Sequence, residues 1–342
     1  MTSMIKVDGL VIRAPGLETK PLSFAMEEGG HALLGRAEDG PPAILRALAG
    51  EITATRGTIQ IHGQRPAAVR RRIALISLDA RLPDALRVDE TLALAASIRG
   101  DRAPKISDVL APLGLEALAQ LRVATLRPAE QRAIAIAEAL ASPTVDIVLL
   151  EEPFAELEAT AGARLLEALR AKKGCVVVAT ASTRDARAIA KDYLVLERGR
   201  PIHVANCEEA HKRMRGCGVR FRLVLDDARK WMASAAAEPL LRRLAIDGDS
   251  VVIEGDDPEE VARAIGRTIV ASGVDVHPLA RDIPTLEEIR ASIAGQYAGV
   301  YQAAVEQAKS VRSSALPPPS GPPSTHAGAQ VPTPPPRLGG ES

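Results

Sequence analysis

Leu33-Leu34-Gly35-Arg36-Ala37-Glu38-Asp39-Gly40-Pro41-Pro42-Ala43-Ile44-Leu45 is the stretch on which the reading of this chain turns. The apolar run Ala32-Leu33-Leu34 predicts a buried strand, Gly35 and Gly40 bracket a tight loop, and a helix is expected from Pro41 through Leu48. This is the outline of a phosphate-binding loop, in which the second glycine is followed by lysine and a hydroxyl residue. Here Pro41 takes the lysine position and Pro42 the hydroxyl position. Proline suits the first turn of a helix, but it offers no charge, no hydroxyl and no backbone N–H. The shape is kept while the phosphate chemistry is removed.

Working outward, alternating or buried apolar runs predict strands at Ile5–Ile12, Leu22–Met26, His31–Leu34, Gly57–Gly63, Ile73–Ser77, Ile147–Leu150, Cys175–Ala179 and Tyr193–Leu196. Helical spacing runs from Val88 to about Leu140, with loops near Gly100-Asp101 and Gly114, and helices are expected at Ala159–Ala171 and over Ala186–Ala190. Strands alternating with helices indicate an α/β layer structure with a mostly parallel sheet. A second, small α+β unit begins near Val219. Its strands are expected at Val219–Leu225, Ser250–Glu254 and Val274–Val276, with a helix over Glu259–Ala271 capped by Asp256 or Asp257. Thr285 and Glu288 are placed as a capping box. From Ser313 the chain is rich in Pro, Ser and Gly, a composition expected to stay disordered.

Composition narrows the function classes. A chain of 342 residues holds one large or two modest domains. With 43 basic and 43 acidic residues it has no excess charge to favour nucleic acid or a membrane surface. Aromatics at 2% argue against base-stacking platforms. Charges interrupt every apolar segment short of the roughly 18 residues a span needs, and the first residues lack a signal-peptide core. Cys175, Cys207 and Cys217 form no disulfide framework, and Cys175 lies in an apolar run, so a reducing cytoplasm is expected. The histidines at 31, 62, 203, 211, 277 and 326 show no metal spacing. The run Arg70-Arg71-Arg72 reads as a solvated helix end, and Lys212-Arg213-Met214-Arg215 as interdomain link.

By Glu151 the landmarks carry a resemblance. Residues 5–205 resemble the nucleotide-binding subunit of an ABC transporter, and 219–295 the small C-terminal domain that follows it in the subclass driving ABC-2-type permeases. Gly35-Arg36-Ala37-Glu38-Asp39-Gly40-Pro41-Pro42 aligns without a gap on the family's Walker A loop. Leu78 stands in place of the Q-loop glutamine. Leu126-Arg127-Pro128-Ala129-Glu130 lies where the signature Leu-Ser-Gly-Gly-Gln belongs. Leu149-Leu150-Glu151-Glu152-Pro153 resembles Walker B, Ala155-Glu156-Leu157-Glu158 the D-loop, and Ala181 replaces the switch histidine. Pro284-Thr285-Leu286-Glu287-Glu288-Ile289 resembles the closing helix of the C-terminal domain.

The resemblance implies a P-loop NTPase-like ABC ATPase domain over 1–210 with a helical subdomain at about 80–140. The α+β C-terminal domain would cover 219–295, a helical extension 296–312, and a disordered Pro-rich tail 313–342. It also implies a site in which each lost residue had a physical task. The lysine neutralises phosphate charge, and the hydroxyl and glutamine serve Mg²⁺. Glu151 would sit at the Mg²⁺-linked aspartate and Glu152 at the catalytic carboxylate, active only if the other groups were present. Glu38 and Asp39 place carboxylates where phosphates belong. A like-charge contact at this range costs roughly 4 kcal/mol at an intermediate dielectric, which Arg36 would offset only in part.

The expected function is therefore a pseudo-ATPase subunit on an ABC-2-type permease, without cofactor. It would be peripheral on the inner face of the cytoplasmic membrane, as a homodimer or beside a competent ABC ATPase, with no nucleic-acid partner. A divergent active ATPase using Mg-ATP, and a soluble scaffold or regulator reusing the fold, are the alternatives.

Overall fold

The computed structural model describes residues 3–190, 193–204, 219–247, 250–281, 285–287 and 289–290. The expected extension at 296–312, the tail at 313–342, the basic link near 212–215 and the Glu288 half of the capping box lie outside these residues. Residues Met1–Ile293 form one compact unit by their contacts.

Its centre is a six-stranded sheet of β5 (Gly29–Leu34), β7 (Ile73–Ile76), β8 (Ile147–Glu151), β9 (Cys175–Thr180), β10 (Tyr193–Glu197) and β11 (Arg200–Val204). The order is β11-β10-β5-β9-β8-β7, parallel throughout except for the β10–β11 hairpin. Every residue of Cys175–Thr180 is buried, as a strand covered on both faces requires. Alternation sends Leu149 and Val177 to one core, and Val148, Leu150, Val176 and Val178 to the other.

The first core is closed by helix α1 (Pro41–Leu48) and an antiparallel sheet of β1 (Ile5–Val11), β4 (Leu22–Met26) and β6 (Arg56–Ile61), ordered β4-β1-β6. Ile44, Leu45 and Leu48 on α1 are fully buried, each worth about 1.5–3 kcal/mol of apolar burial. A short hairpin, β2 (Arg13–Ala14) with β3 (Leu17–Glu18), follows β1.

The second core receives α2 (Val88–Arg99), α3 (Ile106–Leu110), α4 (Pro128–Ala141) and α5 (Ala159–Ala171). The expected loops near Gly100-Asp101 and Gly114 are present: Gly100 ends α2, and Gly114 ends a 3-10 turn at Ala111–Leu113. Two further 3-10 turns, Glu116–Leu118 and Val123–Thr125, interrupt the helical spacing before α4. Helix α4 is held at several points. Buried Arg132 leaves its first turns, Glu138 pairs with Arg99, and Lys172 Nζ donates to the carbonyls of Ala139, Leu140 and Ser142 at 3.3, 3.0 and 3.1 Å. Burial lowers the Lys172 pKa, while Asp146 and other carboxylates oppose that shift. Helix α6 (Thr183–Ile189) completes the layer.

Residues 219–281 form β12 (Val219–Leu225), α7 (Ala228–Ala235), β13 (Arg243–Asp247), β14 (Ser250–Gly255), α8 (Pro258–Ser272) and β15 (Val276–Arg281). The all-antiparallel order β13-β14-β12-β15 makes this a split βαβ, ferredoxin-like unit. Its core gathers Phe221, Leu223, Trp231, Ile253, Val261 and Ile265. Asp257 caps α8 by accepting N–H bonds from Glu259 and Glu260, both at 2.9 Å. The last strand starts at Val276 rather than Val274, because Gly273 ends α8 with φ 59° and Val274 packs into the core. Helix α7 and strand β13 give no clear sequence signal: α7 begins inside the charged run Asp226-Asp227-Ala228-Arg229-Lys230, and β13 is mostly exposed.

Candidate functional site

Strands β5, β8 and β9 are parallel neighbours, so the segments leaving their C-terminal ends meet at one edge of the sheet. That edge brings Gly35–Pro42, Glu151-Glu152 and Ala181 together. Leu78, just beyond β7, also joins them through a bond from its N–H to Glu151 Oε2 at 3.3 Å. The segments read as the Walker A loop, Walker B, Q-loop and switch positions therefore lie at one edge of the sheet.

The loop itself is closed on its own atoms. Gly35 N–H donates to the Thr180 carbonyl at 3.0 Å, and Arg36 N–H to the Asp39 carboxylate at 2.9 Å. Asp39 N–H reaches the Arg36 carbonyl at 3.0 Å, and Gly40 N–H the Ala37 carbonyl at 3.3 Å. Pro41 and Pro42 have no N–H. Six of the eight positions Gly35–Pro42 thus present no free amide to an anion. Gly40 has φ 114°, a left-handed conformation that favours glycine, and a Cβ there would meet the Leu17 side chain of the β2–β3 hairpin at 3.1 Å.

Asp39 changes role relative to expectation. It is not an uncompensated anion in an open cradle but a buried carboxylate that the loop holds. It accepts N–H bonds from Arg36 and from Arg198 at 2.8 Å, and pairs with the Arg290 guanidinium. Burial alone would raise its pKa. The hydrogen bonds from Arg198, Arg290 and Arg36 outweigh that and hold it below the ordinary value of 3.8. Arg36 pairs mainly with Glu287 at 2.7 Å and only loosely with Glu38 at 4.0 Å. Arg290 and Glu287 lie some 250 residues away, where no local pattern marks them.

The acidic pair is also engaged. Glu152 has φ 42°, a conformation uncommon for this residue type. Its carboxylate accepts the Thr180 hydroxyl and the Ala181 N–H, both at 2.7 Å. Ser182 accepts from Asp185 N–H at 3.2 Å and so caps α6. Arg132 donates to the Leu78 and Ala155 carbonyls and lies 4.0 Å from Glu156, tying the Q-loop and D-loop positions together. Its one sequence signal is a charge on the face that also carries buried Ile136. Arg127 caps α4 and closes on Glu130. Its N–H reaches Oε2 at 2.8 Å and its guanidinium Oε1 at 3.0 Å. Pro128 and Ala129 stand in the first turn of α4.

Among the described residues no cluster of His, Cys, Asp or Glu is arranged for a metal, and no helix is long and apolar enough to cross a membrane. Cys175 is buried and its thiol is pushed up to about 12, chiefly by desolvation.

Residues 19–155 match the sequence model of the ABC transporter family. The chain is 26% identical over 218 residues to a molybdate/tungstate import ATP-binding protein of Pyrococcus horikoshii, covering 60% of this chain and 63% of that one. It is 28% identical over 212 residues to an Fe(3+) ions import ATP-binding protein of Streptomyces coelicolor, covering 58% and 60%. Among three such relatives, the chain spans from 36% to 63% of their length. A solved ATP-binding subunit of an ABC transporter superposes with a TM-score of 0.55 at 21% identity, over 62% of this chain and 93% of that one. The fold is that of an ABC ATPase, and part of the chain is similar in sequence to ATP-binding proteins of ABC transporters.

This family normally uses Mg-ATP. The residues present here do not fit its phosphates. The lysine and hydroxyl positions are prolines, the amides of Gly35, Arg36, Asp39 and Gly40 are spent internally, and Asp39 occupies the turn with its own negative charge.

Proposed function

We propose that this chain is a pseudo-ATPase subunit of an ABC transporter. It keeps the fold and the docking surface while its nucleotide site is filled by contacts within the protein. The observation that carries this reading is the loop Gly35–Pro42, where bonded amides and prolines account for six of eight positions. Glu152 remains at the position of the catalytic carboxylate, but it is bonded to Thr180 and Ala181 and has no fixed phosphate to act on.

The partner is an ABC-2-type membrane permease, a reading supported by the small unit at 219–281 and by the closing segment Thr285–Arg290. The region of residues 79–100 receives the permease, and Leu94 and Ile98 expose apolar side chains there. Through that partner the chain sits peripherally on the cytoplasmic membrane, either as a homodimer or beside a competent ABC ATPase.

Calorimetry of the purified chain with Mg-ATP tests the central statement. No saturable heat is expected up to about 1 mM. Saturable binding with a rise in melting temperature overturns the reading in favour of a divergent ATPase. Co-purification with a genome-adjacent permease is expected, and its absence favours a scaffold that works away from any transporter.

A further inference from the structure

We propose that the segment carrying Leu286, Glu287, Ile289 and Arg290 is a built-in strap that latches the loop Gly35–Pro42 through Arg290 and Glu287. This rests on the reading of the loop as free of nucleotide.

The strap and the loop match in shape and in charge. Leu286 and Ile289 are buried against Ala32 and Leu34 of β5, Ala186 of α6, and Tyr193 and Val195 of β10. The alanines leave the space that the two larger side chains fill. In charge, the loop offers a cation at Arg36 and an anion at Asp39, three positions apart. The strap offers an anion at Glu287 and a cation at Arg290 at the same spacing. Both ion pairs, Arg36–Glu287 and Asp39–Arg290, join residues 251 apart in the chain. Exchanging partners would set Arg36 against Arg290 and Asp39 against Glu287, so repulsion as well as attraction fixes the register.

The inner pair is well shielded, with side-chain exposures of 14% for Arg290 and 4% for Asp39. Arg290 also donates to the Leu196 carbonyl at 3.2 Å, which ties the end of β10 into the same contact. A buried carboxylate without a cation is strongly unfavourable, so Asp39 gives the closed loop a standing need for the strap. The small unit ends in β15 at Arg281. In sequence, three residues separate it from the strap.

Hydrogen exchange of the peptide covering residues 285–290, measured in the full chain, tests the latch. Asp39→Ala and Arg290→Ala are each expected to speed its exchange by at least about tenfold, and the double variant no further than the larger single effect. Unchanged exchange in the singles, or effects that multiply in the double variant, overturns the proposal. The exposed pair gives a second route should the buried variants fail to fold. Glu287→Arg speeds exchange by about threefold, and adding Arg36→Glu restores it; failure of the restoration overturns the complementarity. Calorimetry with Mg-ATP on the same proteins separates the two readings. Nucleotide binding alongside non-additive exchange supports the latch and overturns only the pseudo-ATPase. No binding alongside multiplying effects overturns only the latch.

Discussion

Asp39 and Glu152 stand at the same edge of one sheet and solve the same problem differently. Each is a carboxylate in a segment that resembles one of the family's phosphate-handling motifs. Asp39 is buried and draws a guanidinium from the far end of the described chain, together with the Arg36 and Arg198 amides. Glu152 is half-buried and is satisfied by neutral neighbours, the Thr180 hydroxyl and the Ala181 amide. The depth of burial decides the difference. A carboxylate shielded from water needs a cation, whereas one still reached by solvent can rest on two neutral donors. The loop side therefore depends on a long-range contact, and the acidic side on its neighbours.

The largest expected effect comes from removing that long-range partner. Arg290→Ala leaves Asp39 buried and unpaired and lowers unfolding stability in urea by about 3 kcal/mol. The comparison fails if the loss stays under about 0.5 kcal/mol. Next is Arg132→Met, which keeps bulk but strips the Leu78 and Ala155 carbonyls of their donor; a loss of about 2 kcal/mol is expected by the same measurement. Glu152→Gln sharpens the contrast from the other side. One amide oxygen can still accept from Thr180 or Ala181, so thermal unfolding should register about 1 kcal/mol or less.

The smallest effect is visible only in acid. The Asp39 pKa is depressed, so its contribution is fully present above the ordinary value of 3.8 and is lost as pH falls through the lower folded value. Facing it, Glu287 is also depressed by its Arg36 hydrogen bond and adds in the same direction. Urea midpoints should fall more steeply below pH 4 in the parent than in Asp39→Asn; equal slopes would remove Asp39 from the account.

Much of the scaffold was legible in the sequence. The runs Ile147–Leu150 and Cys175–Ala179 announce doubly covered strands, and helix α5 spans the expected Ala159–Ala171. Gly35–Gly40 announces its loop because glycine spacing and apolar runs are local signals. The internal partners were not legible. Arg290 meets Asp39 only because the chain returns from the small unit to β5, and the residues between them carry no trace of that return. Glu38 and Asp39 read alike as anions in a phosphate cradle, yet only Asp39 is buried. Turn geometry separates them, and charge pattern does not.

Helix α4 has a mechanical consequence. Arg132 holds its first turns to the segments after β7 and β8, Glu138 fastens to Arg99 on α2, and Lys172 grips the carbonyls at its far end. Its start is thus pinned to segments leaving the sheet, and its last turns are pinned to α2 and to the end of α5. A load applied to α2 passes through the Arg99–Glu138 pair into α4 and from there to the edge of the sheet.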